Sequence, residues 1–399
     1  MKTLMSLKIL LAHNYYQQPG GEDTAFESEV NLLRERGHQV VEYIDNNDRI
    51  KGMNSFLAAA QTHWSRDSYN KITVMLKKER PAIAHFHNIF PLISPSAYFA
   101  CQSLEIPVIQ SLDNPRLLCP AASLYRDGHL CQDCIGKTPP WPSILHNCYR
   151  NSRSQTAVVA SMLTLHRMLG TWQNKVNFFL VATNFYRRKF AEGGLPKEKL
   201  AYKPHFIYPD PGMHKAKKIG RYALFVARLD PEKGVRVMLK AWEHLDIPLI
   251  IRGSGQLESE TQDWIKHHPN AKVKIIGRLP REELSELMGN ARFLVWPSQG
   301  YYETFGYSAV ECFANGVPVI ASKEGVMEEI VSDRCIGLHF QTGNAEDLAE
   351  KVRWLWDHPE ESKRMGRDAR MEYENKFTAD KNYEMLMQIY EDAIRQAPL

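Results

Sequence analysis

A stretch of 30 residues, 293–322, constrains the fold of this chain more than any other segment. It opens with the apolar run Phe293–Trp296, which has the length of a buried strand and stops at a Pro-Ser-Gln-Gly sequence. A polar loop carrying Glu303 follows, and Ala309–Ala314 has the composition of a short helix. A second apolar run, Val317–Ala321, predicts another buried strand. The stretch therefore predicts a strand–loop–helix–strand unit.

The start of the helix in this unit is a candidate ligand site. The backbone N–H groups of Phe305, Gly306 and Tyr307 would have no partner within the helix, and such a helix end attracts a phosphate group. Gly306 would let a ligand approach the backbone. Glu311 lies about one turn further on, where a carboxylate can accept hydrogen bonds from ribose hydroxyls, and Glu303 would face the same side. The alternative is an ordinary crossover with two solvated glutamates.

The spacing of the two glutamates resembles a family signature. Glu303 and Glu311 form an E-x7-E pair within E-T-F-G-x4-E-x4-G-V-P-V-I-A-S. This closely resembles the signature of retaining GT-B glycosyltransferases of family 4. In that family the first Glu serves the sugar of the donor, and the second serves the ribose of its nucleotide. The resemblance implies those roles here, and it implies two Rossmann-like domains that face each other across a cleft.

The charge of the chain is unevenly distributed. Residues 1–205 contain 24 Lys and Arg against 16 Asp and Glu, whereas residues 206–399 contain 26 against 30. The basic first half predicts an anionic partner, such as a phosphate-bearing acceptor or an acidic membrane surface; the alternative is a solvated surface. With 44% hydrophobic and 24% charged residues the chain is expected to be globular, and its 399 residues suit two domains.

No apolar run of the sequence reaches the length of a transmembrane helix. Met1–Ala12 is short and contains Lys2 and Lys8, so it predicts a first strand and not a signal peptide. We therefore expect a cytoplasmic protein, for which peripheral contact with the inner membrane face stays open. In that compartment the seven cysteines are expected to be thiols or metal ligands and not disulfides.

The N-terminal residues predict the opening of a Rossmann-like domain. Leu7–Ala12 is a predicted buried strand, Thr24–Arg36 an amphipathic helix and Gln39–Ile44 the next strand. Gly20 and Gly21 lie in the loop before the helix, where paired glycines let the backbone lie close to a phosphate or sugar. The alternative is a plain turn. In the family that the chain resembles, a loop at this place contacts the donor.

Asp113 is the main departure from the family pattern. It follows the predicted strand Pro107–Leu112, and the carboxyl end of a strand faces the crevice where open α/β sheets bind ligands. Relatives usually read L-H-N-Y-R-L-L-C-P here, and their histidine approaches the reacting sugar. This chain has Asp113 at the place of the histidine and Pro115 at that of the tyrosine. We keep Asp113 as a candidate catalytic residue, because a carboxylate can hydrogen-bond a donor hydroxyl. His87, at the end of the preceding predicted strand, either lines a cleft or is a hydrogen-bonded core residue.

Four cysteines have a spacing typical of a structural zinc site. They follow the pattern C-x11-C-x2-C-x13-C within a segment rich in Pro, Gly and Trp. The alternative is a set of buried or surface thiols. A similar cysteine-bearing insert is familiar in one bacterial subgroup of the family, which implies a shared structural role. The candidate ligands are Cys119, Cys131, Cys134 and Cys148.

The apolar segment Ala157–Leu169 lies among basic residues and has two interpretations. It predicts either a helix in a membrane interface, beside a lipid-linked acceptor, or a buried helix that packs on the sheet. The flanking cations are Arg150, Arg153, Arg187, Arg188 and Lys189.

The second half of the chain supplies the other candidate donor ligands. Arg228 and Lys233 flank a predicted strand-to-helix turn, where two cations can hold a diphosphate; the alternative is a basic helix start with solvated ends. The turn matches the R-L-x-x-E-K-G element of the family, which implies that both residues bind the donor phosphates. Gly255 follows the next strand in a G-x-G sequence, and Arg278 lies near the place where family members contact the base.

These observations predict an α/β protein of the GT-B type with three parts. Residues 1–205 would form an acceptor domain, 206–376 a nucleotide-sugar donor domain, and 377–399 a helical segment that packs back on the first domain. The resemblance implies transfer of a sugar from a nucleotide-sugar donor, UDP above all, to a glycan or polyprenyl-diphosphate-linked acceptor with retention of anomeric configuration. No divalent metal would be required, and no nucleic acid is an expected partner. The alternatives are a catalytically impaired nucleotide-sugar-binding protein and an epimerase of the same fold.

Overall fold

The computed structural model describes residues 6–17, 20–213, 220–300 and 303–396. These residues form two compact units. The first unit takes the described residues up to Leu124, residues 132–204, and the described residues from Asn382 onwards. The second unit takes residues 125–131 and the described residues from His205 to Lys381. The chain passes from one unit to the other after Pro204, and the returning segment joins the first unit at Asn382, five residues later than the expected 377.

Fourteen strands are found in the described residues. In chain order they are β1 Lys8–Tyr15, β2 Gln39–Asn46, β3 Ile83–Phe86, β4 Val108–Ser111, β5 Tyr125–Arg126, β6 His129–Leu130, β7 Phe178–Val181, β8 Leu200–Tyr202, β9 Ala223–Val226, β10 Leu249–Arg252, β11 Val273–Ile276, β12 Phe293–Trp296, β13 Val319–Ser322 and β14 Gly337–Phe340.

Sixteen α-helices accompany these strands in the described residues, with 3-10 turns at Asn47–Gly52, Lys197–Lys199 and Pro231–Lys233. The helices are α1 Gly21–Glu35, α2 Ser55–His63, α3 Arg66–Glu79, α4 Ser96–Gln102, α5 Trp141–Leu145, α6 Arg153–Met168, α7 Thr171–Asn174, α8 Asn184–Glu192, α9 Val235–Trp242, α10 Glu258–His267, α11 Arg281–Gly289, α12 Tyr307–Ala314, α13 Gly325–Ile330, α14 Ala345–Asp357, α15 Pro359–Lys376 and α16 Ala379–Gln396.

The first unit contains a six-stranded parallel sheet in the order β2-β1-β3-β4-β7-β8. Its central strands are buried on both faces, so they are continuous apolar runs and do not alternate. The run from Ile9 to Ala12 in β1, for example, has no exposed surface. Helix α16 returns to cover this sheet, and its Leu386 and Tyr390 are fully buried in the same core as Ile9.

The second unit contains a six-stranded parallel sheet in the order β11-β10-β9-β12-β13-β14. The buried faces of α9 and α14 pack over it, with Trp242, Leu348 and Val352 in the core. The antiparallel hairpin of β5 and β6, residues 125–131, also belongs to this unit. A Cβ placed on Gly300 would lie 3.0 Å from the Tyr125 ring, so the hairpin packs directly on the loop after β12.

Each sheet has one point at which the order of its strands reverses. In open parallel sheets the connections leave a crevice there, at the carboxyl ends of the strands, and ligands bind in it. This point lies between β1 and β3 in the first unit, and between β9 and β12 in the second. We call the carboxyl ends of the strands at these two points the first edge and the second edge. None of the described helices is both long enough and apolar enough to cross a membrane.

Candidate functional site

Helix α12 starts at the strand reversal of the second sheet. The Ser308 hydroxyl donates a hydrogen bond of 2.9 Å to the carbonyl oxygen of Val226, the last residue of β9. The helix begins at Tyr307, two residues before the predicted Ala309. Ala309 and Val310 donate the first helical hydrogen bonds to the carbonyl of Gly306. The Ser308 contact was not anticipated, because it joins residues far apart in the sequence.

Gly306 is the cap of this helix and its backbone requires glycine. Its φ of 92° lies in the left-handed region, and a Cβ there would come within 2.1 Å of the Trp296 ring. The neighbouring Phe305 side chain is buried against the rings of His205 and Phe377, with centroid distances of 5.1 and 5.7 Å. Phe305 thus holds the loop in place through its side chain, and only its backbone is placed to meet a ligand.

Lys233 and Glu303 form a buried ion pair at the same edge. The Lys233 ammonium lies 2.5 Å from Glu303 Oε1, which also accepts hydrogen bonds from Ser298 Oγ at 3.0 Å and Trp296 Nε1 at 3.3 Å. Burial alone would raise the pKa of the Glu303 carboxyl, but Lys233 and the two donors outweigh burial and lower it. Glu303 is therefore ionised at neutral pH. Two predicted site residues that are 70 positions apart are in direct contact.

Arg228 differs from Lys233 in its exposure. Its side chain is 51% exposed, and its guanidinium lies 3.1 Å from Asp230 and 3.7 Å from Glu232. Burial raises the pKa of the Glu232 carboxyl. Arg228 is the more accessible of the two predicted phosphate ligands, whereas Lys233 has already lost most of its contact with solvent.

Gly255 brings two loops of the second unit together. A Cβ on Gly255 would lie 2.7 Å from the Leu229 nitrogen and 2.8 Å from Asp230 Oδ1. Around it, the Leu229 N–H donates to the Ser254 carbonyl at 3.0 Å, and the Gln256 N–H donates to Asp230 Oδ1 at 3.2 Å. The absence of a side chain at Gly255 thus lets the turn that carries Arg228 pack against the end of β10.

Glu311 lies among arginines. Burial raises the pKa of the Glu311 carboxyl to about 7, against the opposing charges of Arg281 and Arg252. Arg252 ends β10, and its Nε is buried with no hydrogen-bond partner among the described residues. The predicted base contact, Arg278, is exposed and adds its charge to this group. Sequence reasoning overlooked Arg252, although its position at a strand end was a usable signal.

The edge of the first sheet holds a chain of four buried charged groups. The Lys203 ammonium lies 2.6 Å from Glu29 Oε2, Glu29 Oε1 lies 3.3 Å from His87 Nε2, and His87 Nδ1 lies 3.3 Å from Asp113 Oδ2. Burial by itself would lower the pKa of His87, but its hydrogen bonds to Asp113 and Glu29 outweigh burial and raise it to about 9. His87 is therefore a cation at neutral pH and balances the Asp113 carboxylate.

His85 lies beside this network, and its contacts are those of a hydrogen-bonded core residue. Glu29, His85 and His87 place one ligand atom each within 4.8 Å of one another, which is a spacing that a metal ion could use. The Lys203 ammonium already neutralises Glu29, and His85 is hydrogen-bonded to Ser111 Oγ at 2.9 Å and Tyr390 at 2.8 Å. Burial lowers the pKa of His85 to about 4, so it is neutral. The arrangement is that of an ion-paired core, and no sequence pattern pointed to Glu29 or Lys203.

The glycine loop meets the segment of Asp113 at this edge. Gly20 is the extended N-cap of α1, its N–H donates to Asp23 at 2.9 Å, and a Cβ there would meet no atom within 4 Å. Because Asp23 caps the helix, α1 begins at Gly21 and not at the predicted Thr24. Asn114 donates to Glu22 Oε1 at 2.9 Å, and Glu22 Oε2 is buried without a partner among the described residues.

Glu22 is the titratable group of this loop. Burial, followed by the negative charge of Asp113, raises the pKa of the Glu22 carboxyl to about 7. The structure thus places Gly20, Gly21 and Asp113 at one sheet edge and adds Glu22, whose second carboxyl oxygen points into it unpaired. Gln18 and Pro19, which precede these glycines, lie outside the described residues.

The four candidate zinc ligands are divided between the units. Cys119, Cys134 and Cys148 belong to the first unit, and Cys131 ends the hairpin segment of the second. Cys134 is buried, with its sulfur 3.7 Å from the Pro140 carbonyl oxygen, and the other three are half-buried. The zinc site stays a prediction from the spacing.

Comparison with known sequences finds a family match within the second unit. Residues 211–372 match the family of glycosyl transferases group 1. The chain is 32% identical over 171 residues to an uncharacterized glycosyltransferase of Methanocaldococcus jannaschii, covering 43% of this chain and 48% of that protein. It is 31% identical over 183 residues to the D-rhamnosyltransferase WbpZ of Pseudomonas aeruginosa, covering 43% and 47%. The chain thus spans about half the length of the curated relatives it matches.

Comparison with solved structures covers nearly the whole chain. HepE of Anabaena in complex with UDP aligns with a TM-score of 0.69 at 14% identity, over 97% of this chain and 100% of that one. A glycosyltransferase from Rickettsia africae aligns with a TM-score of 0.67 at 15% identity, over 98% and 100%. At this identity the likeness shows the fold alone. Residues 211–372 thus match the glycosyl transferases group 1 family, and the chain has the two-domain α/β fold, with parallel sheets, of GT-B glycosyltransferases.

Proposed function

We propose that this protein is a retaining glycosyltransferase that moves a sugar from a nucleotide-sugar donor to a hydroxyl group of a glycan or lipid-linked acceptor. The observation that carries the proposal is the buried Lys233–Glu303 pair at the strand reversal of the second sheet, one loop away from the α12 start. The relatives support it, since they include a D-rhamnosyltransferase and an O-antigen chain mannosyltransferase of Escherichia coli. HepE was solved with UDP and with UDP-glucose, which supports UDP as the nucleotide.

Each residue of the second edge has a role in this proposal. Lys233 and Arg228 bind the donor diphosphate and stabilise the charge that grows on the leaving nucleotide. Glu303 accepts hydrogen bonds from hydroxyls of the transferred sugar, and Glu311 from those of the ribose. The N-terminal backbone of α12, from Phe305 to Tyr307, faces the phosphates.

The reaction needs no protein nucleophile. The bond between the anomeric carbon and the phosphate oxygen breaks, and a bond to the acceptor oxygen forms on the same face of the sugar. The acceptor proton passes to the departing phosphate oxygen, so the nucleotide diphosphate leaves with it. Two cations replace the divalent metal that other transferases use, and the proposal requires no metal for catalysis.

The first unit would bind the acceptor, and Asp113 would meet the reacting sugar. Asp113 lies 3.3 Å from the His87 imidazolium, and its carboxyl oxygens can accept a hydrogen bond from a sugar hydroxyl. The same contact favours a second candidate function, because an Asp113 committed to His87 has less freedom to act. That candidate is a nucleotide-sugar-binding protein with impaired catalysis, located in the cytoplasm like the transferase.

The deciding experiment measures nucleotide release from UDP-, GDP- and TDP-sugars by wild type, Arg228→Ala and Arg236→Ala. Arg236 is the matched control, because it is an exposed arginine of α9 paired with Glu260 at 2.7 Å. We expect release from one donor, strong loss in Arg228→Ala and little change in Arg236→Ala. Donor binding without release, even with a lipid extract as acceptor, would favour the binding protein. The absence of both binding and release with every donor would overturn both functions.

The zinc proposal has a separate test. Metal analysis of protein purified without affinity metals should find about one zinc per chain, with loss in Cys131→Ser but not in the control Cys335→Ser, an exposed cysteine of the second unit. Metal at background level in the wild type would remove the proposal.

A further inference from the structure

Three neighbouring strands of the second sheet each have an arginine at or just after the carboxyl end. Arg252 is the last residue of β10, and in the register of the sheet it pairs with Val226 of β9 on one side and with Ile276 of β11 on the other. Arg228 and Arg278 each follow two residues after these partners. Since adjacent strands lie about 4.8 Å apart, the three arginines start from a row of backbone positions along the second edge, with Arg252 in the middle.

The side chain of Arg252 points away from the core that the sheet forms with α9 and α14. The preceding residue, Ile251, is fully buried in that core. Because side chains alternate along a strand, Arg252 points to the opposite face of the sheet. There its charge interacts with Glu311 of α12 and with Arg278. Arg252 thus lies beside both the ribose ligand of the proposed function and the predicted base contact.

The guanidinium of Arg252 is not satisfied by the protein. Its Nε is buried without a hydrogen-bond partner among the described residues. Arg278 and Arg281, the first residue of α11, are exposed, and in the part of the chain that the structure describes none of the three guanidinium groups forms a hydrogen bond or an ion pair. A buried N–H group without a partner costs free energy, so Arg252 indicates a ligand atom that accepts a hydrogen bond.

The chemistry of these side chains restricts the ligand group that they can bind. A guanidinium has five N–H donors and no acceptor, so Arg252 and Arg278 require a group with lone pairs. A further phosphate would be repelled by the carboxylate form of Glu311, which lies among the arginines. A neutral group with acceptor atoms meets no such repulsion. In a nucleotide whose diphosphate binds Arg228 and whose ribose binds Glu311, that group is the base.

The bases differ in the groups that they offer to an arginine. Uracil and guanine carry a keto oxygen at the position where cytosine and adenine carry an amino group. The keto oxygen accepts hydrogen bonds, and an arginine can bind the guanine edge through two of them. The amino group donates hydrogen bonds, as arginine does, so it would leave the Arg252 guanidinium without a partner at that position.

We propose that Arg252 is a specificity-determining residue for the donor nucleotide, and that it selects a base with a keto oxygen, uracil or guanine, over a base with an amino group, cytosine or adenine. The inference rests on the proposed function, because that function places the nucleotide at the second edge. It adds the class of base and the residue that distinguishes it.

The test is the equilibrium binding of UDP, CDP, IDP and ADP to the full chain, measured by calorimetry. IDP represents guanine, because its base has the same keto oxygen without the second amino group that would complicate the comparison with ADP. In whichever pair binds more tightly, UDP with CDP or IDP with ADP, the keto member should bind at least about tenfold more tightly than the amino member.

Two variants of Arg252 separate base recognition from charge. Arg252→Met should weaken binding of the keto member until the two members of the pair are within about threefold of each other. Arg252→Lys keeps a positive charge beside Glu311 but loses the planar fork of donors, so it should also lose most of the discrimination. Arg236→Met is the matched control, because Arg236 is an exposed arginine of α9 that pairs with Glu260. It should leave all four affinities unchanged, and thermal melting should show that every variant is folded.

Each other outcome has a defined meaning. If Arg252→Met weakens all four nucleotides equally, the proposal is overturned, because Arg252 then only balances the charge of Glu311. Equal affinity of the keto and amino members for the wild type would also overturn it, while leaving the proposed function intact. If the wild type binds none of the four nucleotides, the proposed function itself fails, and this inference fails with it.

Discussion

The two sheet edges hold their charges in different ways. In the first unit, Lys203, Glu29, His87 and Asp113 form a chain of alternating charges, and none of the four side chains is more than 7% exposed. In the second unit, the buried pair of Lys233 and Glu303 stands beside a cation, Arg228, that is half exposed.

This difference indicates that the charged groups of the two edges have different roles. A balanced buried network has little charge left for a ligand, so its main effect is on folding stability and on the orientation of Asp113. At the second edge Arg228 is half exposed, so a diphosphate can reach its guanidinium. We therefore expect changes at the first edge to act mainly on stability, and changes at the second to act mainly on activity.

The largest expected effect is that of Lys203→Met. Removing this ammonium leaves Glu29 without its nearest cation in a buried site, which should lower the free energy of unfolding by about 3–5 kcal/mol. Urea denaturation measures it, with Lys78→Met as the control, because Lys78 is 79% exposed. Adding Glu29→Gln to Lys203→Met should recover part of the loss. A loss below about 1 kcal/mol would show that the network is not a stabilising element.

The next effect concerns Lys233→Met, which should lower nucleotide release by about 10²–10³-fold. Since this change also leaves Glu303 unpaired, the double variant Lys233→Met/Glu303→Gln is measured beside it. We expect the double variant to regain stability while release stays low, which separates catalysis from folding. Lys240→Met, an exposed lysine on α9, serves as the control. Release that recovers with stability would make Lys233 a purely structural residue.

A third comparison uses one glycine from each edge. Gly306→Ala places a Cβ in the left-handed region against Trp296, so it should destabilise the protein by about 1–3 kcal/mol. Gly20→Ala has extended backbone and open space, so its effect on stability should be within about 0.5 kcal/mol. Any loss of activity in Gly20→Ala with unchanged unfolding would then report contact with a ligand. Equal destabilisation by the two changes would contradict this difference.

The smallest effect is a pH dependence at Glu311. Its pKa is raised from 4.5 to about 7, so the folded protein keeps a proton there that the unfolded chain has already lost. The stability of the wild type should therefore fall as the pH rises from about 4.5 to about 7 and be level above it. Glu311→Gln cannot titrate, so it should gain in melting temperature relative to wild type between about pH 5 and about pH 8. The exposed Glu243→Gln should show no such gain, and a constant difference between Glu311→Gln and wild type would contradict the prediction.

The sequence by itself determined the local structure of this chain. Strand β12, helix α12 and strand β13 agree with the predicted elements to within about two residues, because apolar runs and glycine caps fix burial and backbone angles locally. The two-domain α/β fold was likewise predictable, since it follows from the repeated alternation of strands and helices and from the family resemblance.

Only the tertiary structure decided which side chains meet. Glu29 on α1 and Lys203 after β8 are 174 positions apart, and their contact depends on the strand order that runs from β1 through β3, β4 and β7 to β8. The same holds for His87 and Asp113, which sequence reasoning treated as separate candidates, and for Arg252 near Glu311. Periodicity specifies which face of an element is buried, but the neighbours across that face are set by long-range packing, and so are the charges and pKa values that follow from them.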